Sequence, residues 1–411
     1  MRLHLKQARG IKHSSPTVNG SWFYREEVVC KVIKPVVLVL IFLCTQNIFC
    51  TEIWGEKPDY SKGPLLGKNM FIPYLIHYNF PALSAKSGEK FDFQYHLSTY
   101  YVQDASYVWN NPYPYSHSDV TRYYDTENVV RDYESCINEA GFAFNILEEL
   151  QIGMDMRIFS YYGGFLDAFI EKFHKTFRFA SGNRKFFLQN QIYINIPNDN
   201  GAPLFLDGPS TAFGDIDVWG KWTFFENKHV SLASLGAMKI PSGRLETLSG
   251  SNYPDIAFGI ISDMRPVWFL TVYAQAGGVL PLSLKYYPMF NGLAGLEINP
   301  WKIFSINVQM NIKTSPISND IGWTWNNVFD TEHKVYSMPQ TNIMAGVIFI
   351  FKGFKWQFYF EEDGITNQGT DLTLNFMFSH KINYTAARLT QTKIARHPFS
   401  RTSSDRRPES R

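Results

Sequence analysis

The chain has 411 residues, a length that fits two or three soluble domains or one large β-barrel. Aromatic residues make up 16% and charged residues only 18%, against about a quarter charged in soluble domains. The net charge of +2 hides two basic ends: residues 1–50 and 382–411 each hold seven Lys or Arg against two Asp or Glu, leaving a body at −8 that argues against nucleic acid as a partner.

Residues 1–50 read as a leader. Lys31 and Lys34 precede an apolar run from Val36 to Cys44, about half of the roughly 20 residues a spanning helix needs. Positive charge, a short apolar core and a break at Thr45, Gln46 and Asn47 describe a secretory signal peptide. Cleavage is expected near Cys50. A lipoprotein reading would lipidate Cys50, against which stands bulky Phe49 where a small residue is usual. Residues 1–28 form a long preamble, so translation is expected to start closer to Lys31. Cys136 is the one thiol of the body, which rules out a disulfide framework or a cysteine metal cluster there.

From about Phe71 the body shows no linker or low-complexity stretch and reads as one domain. Strand candidates begin at 90–103, 140–149 and 151–160. Next, "FGDIDVWGKWTFF" sets Ile216, Val218, Gly220, Trp222 and Phe224 opposite Asp215, Asp217 and Lys221. Candidates at 229–240, 254–263, 268–279 and 290–298 follow. In "KIFSINVQMNIK", Phe304, Ile306, Val308, Met310 and Ile312 face one way and Ser305, Asn307, Gln309 and Asn311 the other. The last three strands carry Ile343, Ala345, Val347, Phe349 and Phe351, then Phe354, Trp356, Phe358 and Phe360, then Leu372, Leu374, Phe376 and Phe378. Each segment runs about 9–12 residues, the length of a tilted membrane strand rather than the five or six usual in soluble sheets. Aromatics (Tyr286, Tyr287, Trp301, Trp323, Trp325) crowd the strand ends.

One segment breaks the alternation. In "SYYGGFLDAFIEKFHKTFRF" (160–179), Leu166, Phe169, Ile170, Phe173 and Phe177 recur at helical spacing. Asp167 sits in the first turn and Lys175 and Arg178 near the last, as the helix macrodipole favours. Three placements fit this amphipathic helix: a lumen plug, the bilayer interface, or a partner's surface. A wet polar lumen offers a Phe stripe little to pack on, which favours the interface.

A soluble sandwich shares the alternating pattern. Long strands, aromatic strand ends and an export signal favour an all-β, transmembrane antiparallel up-and-down β-barrel with one short helix in a loop. Some 12–15 candidates are counted, and the even-number rule narrows 12–14 strands to 12 or 14. The division is then 1–50 leader, 51–381 barrel, and 382–411 a basic disordered tail.

Several motifs occur in order: "GPLLGKNMFIP" (63–73), "YYGGFLDAFIEKFHKTF" (161–177), "FGDIDVWGKW" (213–222), "PSGRLETLSGSNYPD" (241–255) and "YFEEDGITNQGTDLTLNFMF" (359–378). Together they resemble an uncharacterised family of Gram-negative outer-membrane proteins, a domain of unknown function, over about residues 60–380. The resemblance implies an outer-membrane barrel of unassigned substrate and supplies no catalytic residues. Gly250-Ser251-Asn252 departs from an expected Gly-Ser-Gly, a change expected to loosen that loop.

Candidate chemistry is sparse. No GxxxxGK[ST], HExxH, CxxC or GxSxG occurs. His117 to Asp119 lie in a Tyr- and Pro-rich loop without partners at ligand spacing. His77 and His96, read as lying on early strands with Ser98 near the latter, are the only hint of a lipid-modifying enzyme. Glu361, Glu362, Asp363 and Asp371 surround a Gly-bearing connection, either a cation site or a hydrated hairpin loop. Asp215, Asp217, Lys221, Asn307, Gln309 and Asn311 are the pore-lining candidates, because charges facing lipid cost about 2–4 kcal/mol near the midplane. The expectation is a passive channel or transporter for a small solute of unknown identity, in the outer membrane of a diderm bacterium. The alternative is a structural or surface-interaction barrel, with an enzyme third. No cofactor is implied. The expected partners are membrane lipid, the solute, and the outer-membrane assembly machinery during insertion.

Overall fold

Segments in which every second residue is apolar can bury or shed one whole face, and here they pair into a single closed sheet. The computed structural model describes residues 59–108, 129–165, 167–177, 189–196, 203–317, 324–326, 332–334, 339–363, 370 and 372–383. The leader with its cleavage site and Cys50, the tail from 384, His117–Asp119, Leu166, Trp323 and Asp371 lie outside the described residues.

The strands are β1 (Asp92–Val108), β2 (Val129–Asn145), β3 (Leu150–Tyr162), β4 (Tyr193–Ile196), β5 (Leu204–Leu206), β6 (Ser210–Phe213), β7 (Ile216–Glu226), β8 (Val230–Ile240) and β9 (Asp255–Val267). They continue with β10 (Leu270–Pro281), β11 (Met289–Ile298), β12 (Phe304–Lys313), β13 (Thr324–Asn326), β14 (Glu332–Lys334), β15 (Gln340–Phe351), β16 (Phe354–Asp363) and β17 (Leu372–Asn383). Twelve of them close an antiparallel ring, β1-β2-β3-β7-β8-β9-β10-β11-β12-β15-β16-β17. β17 returns to β1 over a register running from Gln103↔Leu372 to Asp92↔Asn383. Closure leaves no free edge, the condition for strands to cross lipid. The count is the lower of the two expected values. β4 and β5 extend the sheet from β2, and β6 from β3.

The faces are inverted relative to a soluble protein. On β12, Ser305, Asn307, Gln309 and Lys313 are buried while Ile306 and Val308 are exposed. On β16, Gln357, Tyr359 and Glu361 are buried and Phe358 and Phe360 exposed. Phe258 on β9 is 70% exposed beside buried Ala257. An outer wall of Phe, Ile, Leu and Val around a polar interior is stable only against lipid.

The two ends differ. Short turns join β2 to β3, β7 to β8, β9 to β10, β11 to β12 and β15 to β16, and both ends of the ring, Asp92 and Asn383, lie at this end. Longer connections occupy the other end. One of them, between β3 and β7, holds the predicted helix, α1 (Asp167–Phe177). Its buried Asp167 accepts the Asn190 N–H at 2.7 Å, tying the start of α1 to the segment that follows it. Phe169 is 55% exposed; the side chains of Ile170, Phe173 and Phe177 lie outside the described residues.

Two local expectations are corrected. β2 was expected at 140–149 but runs Val129–Asn145. Residues 146–149 form the turn, with the Ile146 N–H donating to Leu150 O at 2.9 Å. The early half of β2 carries Arg131, Asp132 and Glu134, all buried near the long-loop end, and these charges erase the alternation. Asn252 does not loosen its loop. It takes φ +64°, which Asn tolerates, and its Oδ1 accepts the Leu245 N–H at 2.9 Å.

Candidate functional site

The stretch "NMFIPYLIHYNFPAL" (69–83) is strongly apolar, carries two prolines and alternates nowhere. Proline removes ladder donors, so this is no barrel strand. The segment from Asp59 to Phe91 instead fills the lumen. It rises from the short-turn end to a 3-10 turn at Tyr74–Ile76 and descends again to β1. Extended chain advances about 3.3 Å per residue, so the rise from Lys62 to Tyr74 can cover roughly 40 Å, more than the ~30 Å of a hydrocarbon core.

The rising pass starts at Lys62, whose N–H donates to Glu297 Oε1 at 2.9 Å near the end of β11. Deeper in, the Gln357 side chain imitates a strand partner. Its Oε1 accepts the Leu66 N–H (2.9 Å) and its Nε2 donates to Pro64 O (3.2 Å). The Tyr359 and Tyr100 hydroxyls both donate to Leu66 O, at 2.9 and 3.2 Å, and Gln309 Nε2 donates to Leu65 O at 3.3 Å. These wall side chains satisfy plug backbone that would otherwise be buried unpaired.

At mid-height Lys68 enters a charged knot. Its Nζ lies 2.5 Å from Glu139 Oε2 and 3.5 Å from Asp155 Oδ2. Arg157 bridges Glu139 (3.4 Å) and Asp217, and His96 Nε2 sits 3.4 Å from Glu139. Ion pairs this buried hold only as a complete set, since removing one partner strands a desolvated charge. The ligand atoms of His96, Glu139 and Asp155 lie within 4.8 Å of one another, close enough for one metal ion. The Lys68 ammonium already supplies the positive charge those carboxylates need.

The upper turn is clasped from three sides. Lys313 Nζ donates to Tyr74 O (2.9 Å), Tyr78 O (3.0 Å) and Asn79 Oδ1 (3.0 Å). Lys239 Nζ donates to Ile76 O (3.1 Å), Asp215 Oδ2 and Ser251 Oγ (both 2.6 Å). Asp255 accepts the Tyr78 N–H at 2.8 Å and faces His77 Nδ1 at 3.3 Å. The Arg131 guanidinium lies 3.7 Å over the Phe71 ring. Between these contacts Leu65, Met70, Phe71, Ile72, Leu75 and Ile76 pack on an aromatic inner wall that includes Tyr100, Tyr133, Phe159 and Tyr161.

On the descent Tyr78, Phe80 and Ala85 pack against Trp219, Leu235, Ile261 and Val279. Lys221 Nζ then caps Ser84 O (2.9 Å) and Lys86 O (2.8 Å), and Thr223 Oγ1 caps Ala85 O (2.9 Å). Asp59 pairs with Lys86 at the mouth. Burial pushes the Asp59 carboxyl up, but the Lys86 hydrogen bond and charge, the Ser61 N–H and Arg265 outweigh it and hold it below the ordinary carboxylate value.

Of the pore-lining candidates, Asp215, Asp217, Lys221, Asn307 and Gln309 are buried and Asn311 half-buried on the inner face. Asp215, Lys221 and Gln309 meet the inserted segment or its clasp, and Asp217 joins the charged knot. Asn307 stays on the wall, 3.4 Å from Ser305 Oγ. Glu361 is buried and receives a hydrogen bond from Asn342, whereas strand alternation sets Glu362 on the outward face. The side chain of Asp363, like Asp371, lies outside the described residues. His77 is not on a strand but in the inserted segment. His96 and Ser98 are on β1 but point inward, away from lipid. Of the aromatics expected at strand ends, Trp301 and Tyr287 are exposed, while Tyr286 is buried against His77 with ring centroids 4.5 Å apart. The Trp325 side chain lies outside the described residues.

The family described as a protein of unknown function, DUF3187, matches residues 114–328, just over half of the chain. No curated protein matches. Among solved structures, an outer-membrane channel from Pseudomonas putida F1 is 10% identical, with 72% of this chain and 98% of that one covered and a TM-score of 0.47. The KdgM porin gives 6%, 71%, 99% and 0.35. The toluene transporter TbuX of Ralstonia pickettii gives 10%, 72%, 89% and 0.33. At these values they add nothing to the barrel already evident from the strand pairing.

Proposed function

We propose that this chain, which belongs to the DUF3187 family of proteins of unknown function, is an outer-membrane channel for a small solute, closed by its own N-terminal segment. The observation that carries this reading is the way the lumen is filled. One tethered segment occupies it, held largely by side chains that cap its backbone. A segment held in this way can leave without breaking any strand pairing. Short turns face the periplasm in barrels of this kind, so both the mouth at Lys62 and the tether to β1 lie on the periplasmic side. The lipid-facing wall and the exposed Phe169 of α1 are the surfaces offered to the membrane, with α1 at its outer interface. Insertion by the outer-membrane assembly machinery follows from that location.

The test is conductance of the refolded full-length protein in planar bilayers, together with solute flux into liposomes. Brief current steps from a mostly closed state are expected. Absence of both current and flux from a correctly folded barrel would leave the structural or surface-interaction reading in its place.

A further inference from the structure

At the short-turn mouth, between the two passes of the inserted segment and the wall formed by β16, β17, β1, β2, β3 and β7, lies a cavity of about 400 Å³. Five lysines line it: Lys62 and Lys86 from the segment, and Lys221, Lys355 and Lys381 from the wall. Two have carboxylate partners, Lys86 on Asp59 and Lys381 on Asp92. The other three have none within ion-pair distance among the described residues and rest only on backbone carbonyls. Lys62 Nζ donates to Tyr60 O and Trp301 O (both 2.9 Å), Lys221 Nζ to Ser84 O and Lys86 O, and Lys355 Nζ to Lys62 O (3.0 Å). The two lining carboxylates, Asp92 and Asp155, are already engaged by Lys381 and Lys68.

An ammonium carries three donors. Among the described residues Lys62 and Lys221 each keep one unbonded and Lys355 keeps two, around a single cavity. Carbonyl caps satisfy hydrogen bonds without neutralising the charges. The carboxylates that act on these lysines, Glu297 on Lys62 and Lys355, Asp59 on Lys62, and Asp263 and Glu226 on Lys221, do so from beyond ion-pair distance. Like charges gathered in a low-dielectric cleft attract an anion. Leu66, Leu83, Trp219 and Met377 give the cavity an apolar side. The buried Trp219 Nε1–H, on the same wall, has no partner among the described residues. Its volume sits at the small end of ligand pockets.

The geometry points to a binding site for a small organic anion, a carboxylate or comparable acid on a compact apolar body, with its charge among Lys62, Lys221 and Lys355 and its body against Leu66, Leu83 and Trp219. An anion there would join lysines of the segment to lysines of the wall, stapling the base of the plug in place.

Binding is measurable without any current, so this proposal and the channel reading fail separately. The experiment is isothermal titration calorimetry of the refolded full-length barrel in a non-ionic detergent, with benzoate as the probe and benzylammonium as a control of the same shape and opposite charge. Saturable benzoate binding that weakens with salt, no benzylammonium binding, and at least a tenfold weaker affinity in Lys355→Met are expected. Lys355 is half-buried and makes one carbonyl contact, so this variant keeps the fold, as heat-modifiable migration would verify. Lys221→Met is the second variant, with the same expectation. Failure of benzoate to bind at millimolar concentration, equal binding of benzylammonium, or unchanged affinity in both folded variants would overturn the site.

Discussion

Replacing Lys313 with Met tests how firmly the inserted segment is held. The ammonium makes three hydrogen bonds to the upper turn, to Tyr74 O, Tyr78 O and Asn79 Oδ1. A hydrogen bond involving a charged group contributes about 1.5–3 kcal/mol. The three share one donor atom and are not additive, and Met also removes the cost of burying a charge. The net loss is therefore about 2–4 kcal/mol of the free energy that holds the turn, toward the lower end of truncating a buried charged partner. At 1.4 kcal/mol per factor of ten, the displaced state becomes roughly 30- to 700-fold more populated. The barrel wall is untouched, because the aliphatic stem of Met fills the same inward position on β12. In planar bilayers the open probability of Lys313→Met rises by that order while the unitary conductance stays at the wild-type value. A variant that migrates as a folded barrel yet opens no more often than wild type would refute the clasp.

Val308→Arg places a charge on the lipid face at the middle of β12, where Val308 is 50% exposed, and costs about 2–4 kcal/mol; its folding into lipid vesicles, followed by tryptophan fluorescence against urea, should shift by that amount, while Asn307→Gln one residue away on the inner face should shift little. Gly346→Ala puts a Cβ against the Phe358 carbonyl oxygen and the Tyr359 Cβ, so about 1–3 kcal/mol of overpacking is expected in the same assay; an unperturbed midpoint would mean that β15 and β16 can part there. Phe169→Ser on α1 should leave the barrel's folding midpoint unchanged and reduce quenching of α1 by interfacial lipid probes, and equal quenching would remove α1 from the membrane surface.

The barrel was legible because its physics is local. Period-two alternation in residues 304–312 and 354–360 dictates which side chains meet lipid, and the structure keeps that assignment residue by residue. Counting such segments left 12 or 14 strands open, and the pairing closes twelve. The plug was not legible for the opposite reason. Residues 69–83 carry no period, and what fixes their path is non-local: Gln357 matching the Leu66 backbone, Lys313 and Lys239 closing over the turn. The signal on offer was a Pro-punctuated apolar stretch ahead of the first strand, which a barrel wall could not use. His77 was misplaced on a strand for this reason. The pore-lining candidates are buried or half-buried on the inner side, but alternation says only which way a side chain points, not whether it meets water or chain. Likewise Glu361 and Glu362 are adjacent in sequence and separated by the wall, a consequence of the same period that found the strands. The early part of β2 escaped because both of its faces are covered near the long-loop end, where Arg131 and Glu134 are buried.

Residues 59–90, on the proposed function, close a membrane channel, and single-channel recording of the barrel lacking those residues, beside the intact chain, decides whether they do. With both proteins shown to be folded by heat-modifiable migration and β-rich circular dichroism, the shortened barrel should conduct in long, large steps and the intact chain only in rare brief ones. Identical conductance and open probability in the two, or silence in both, would contradict it.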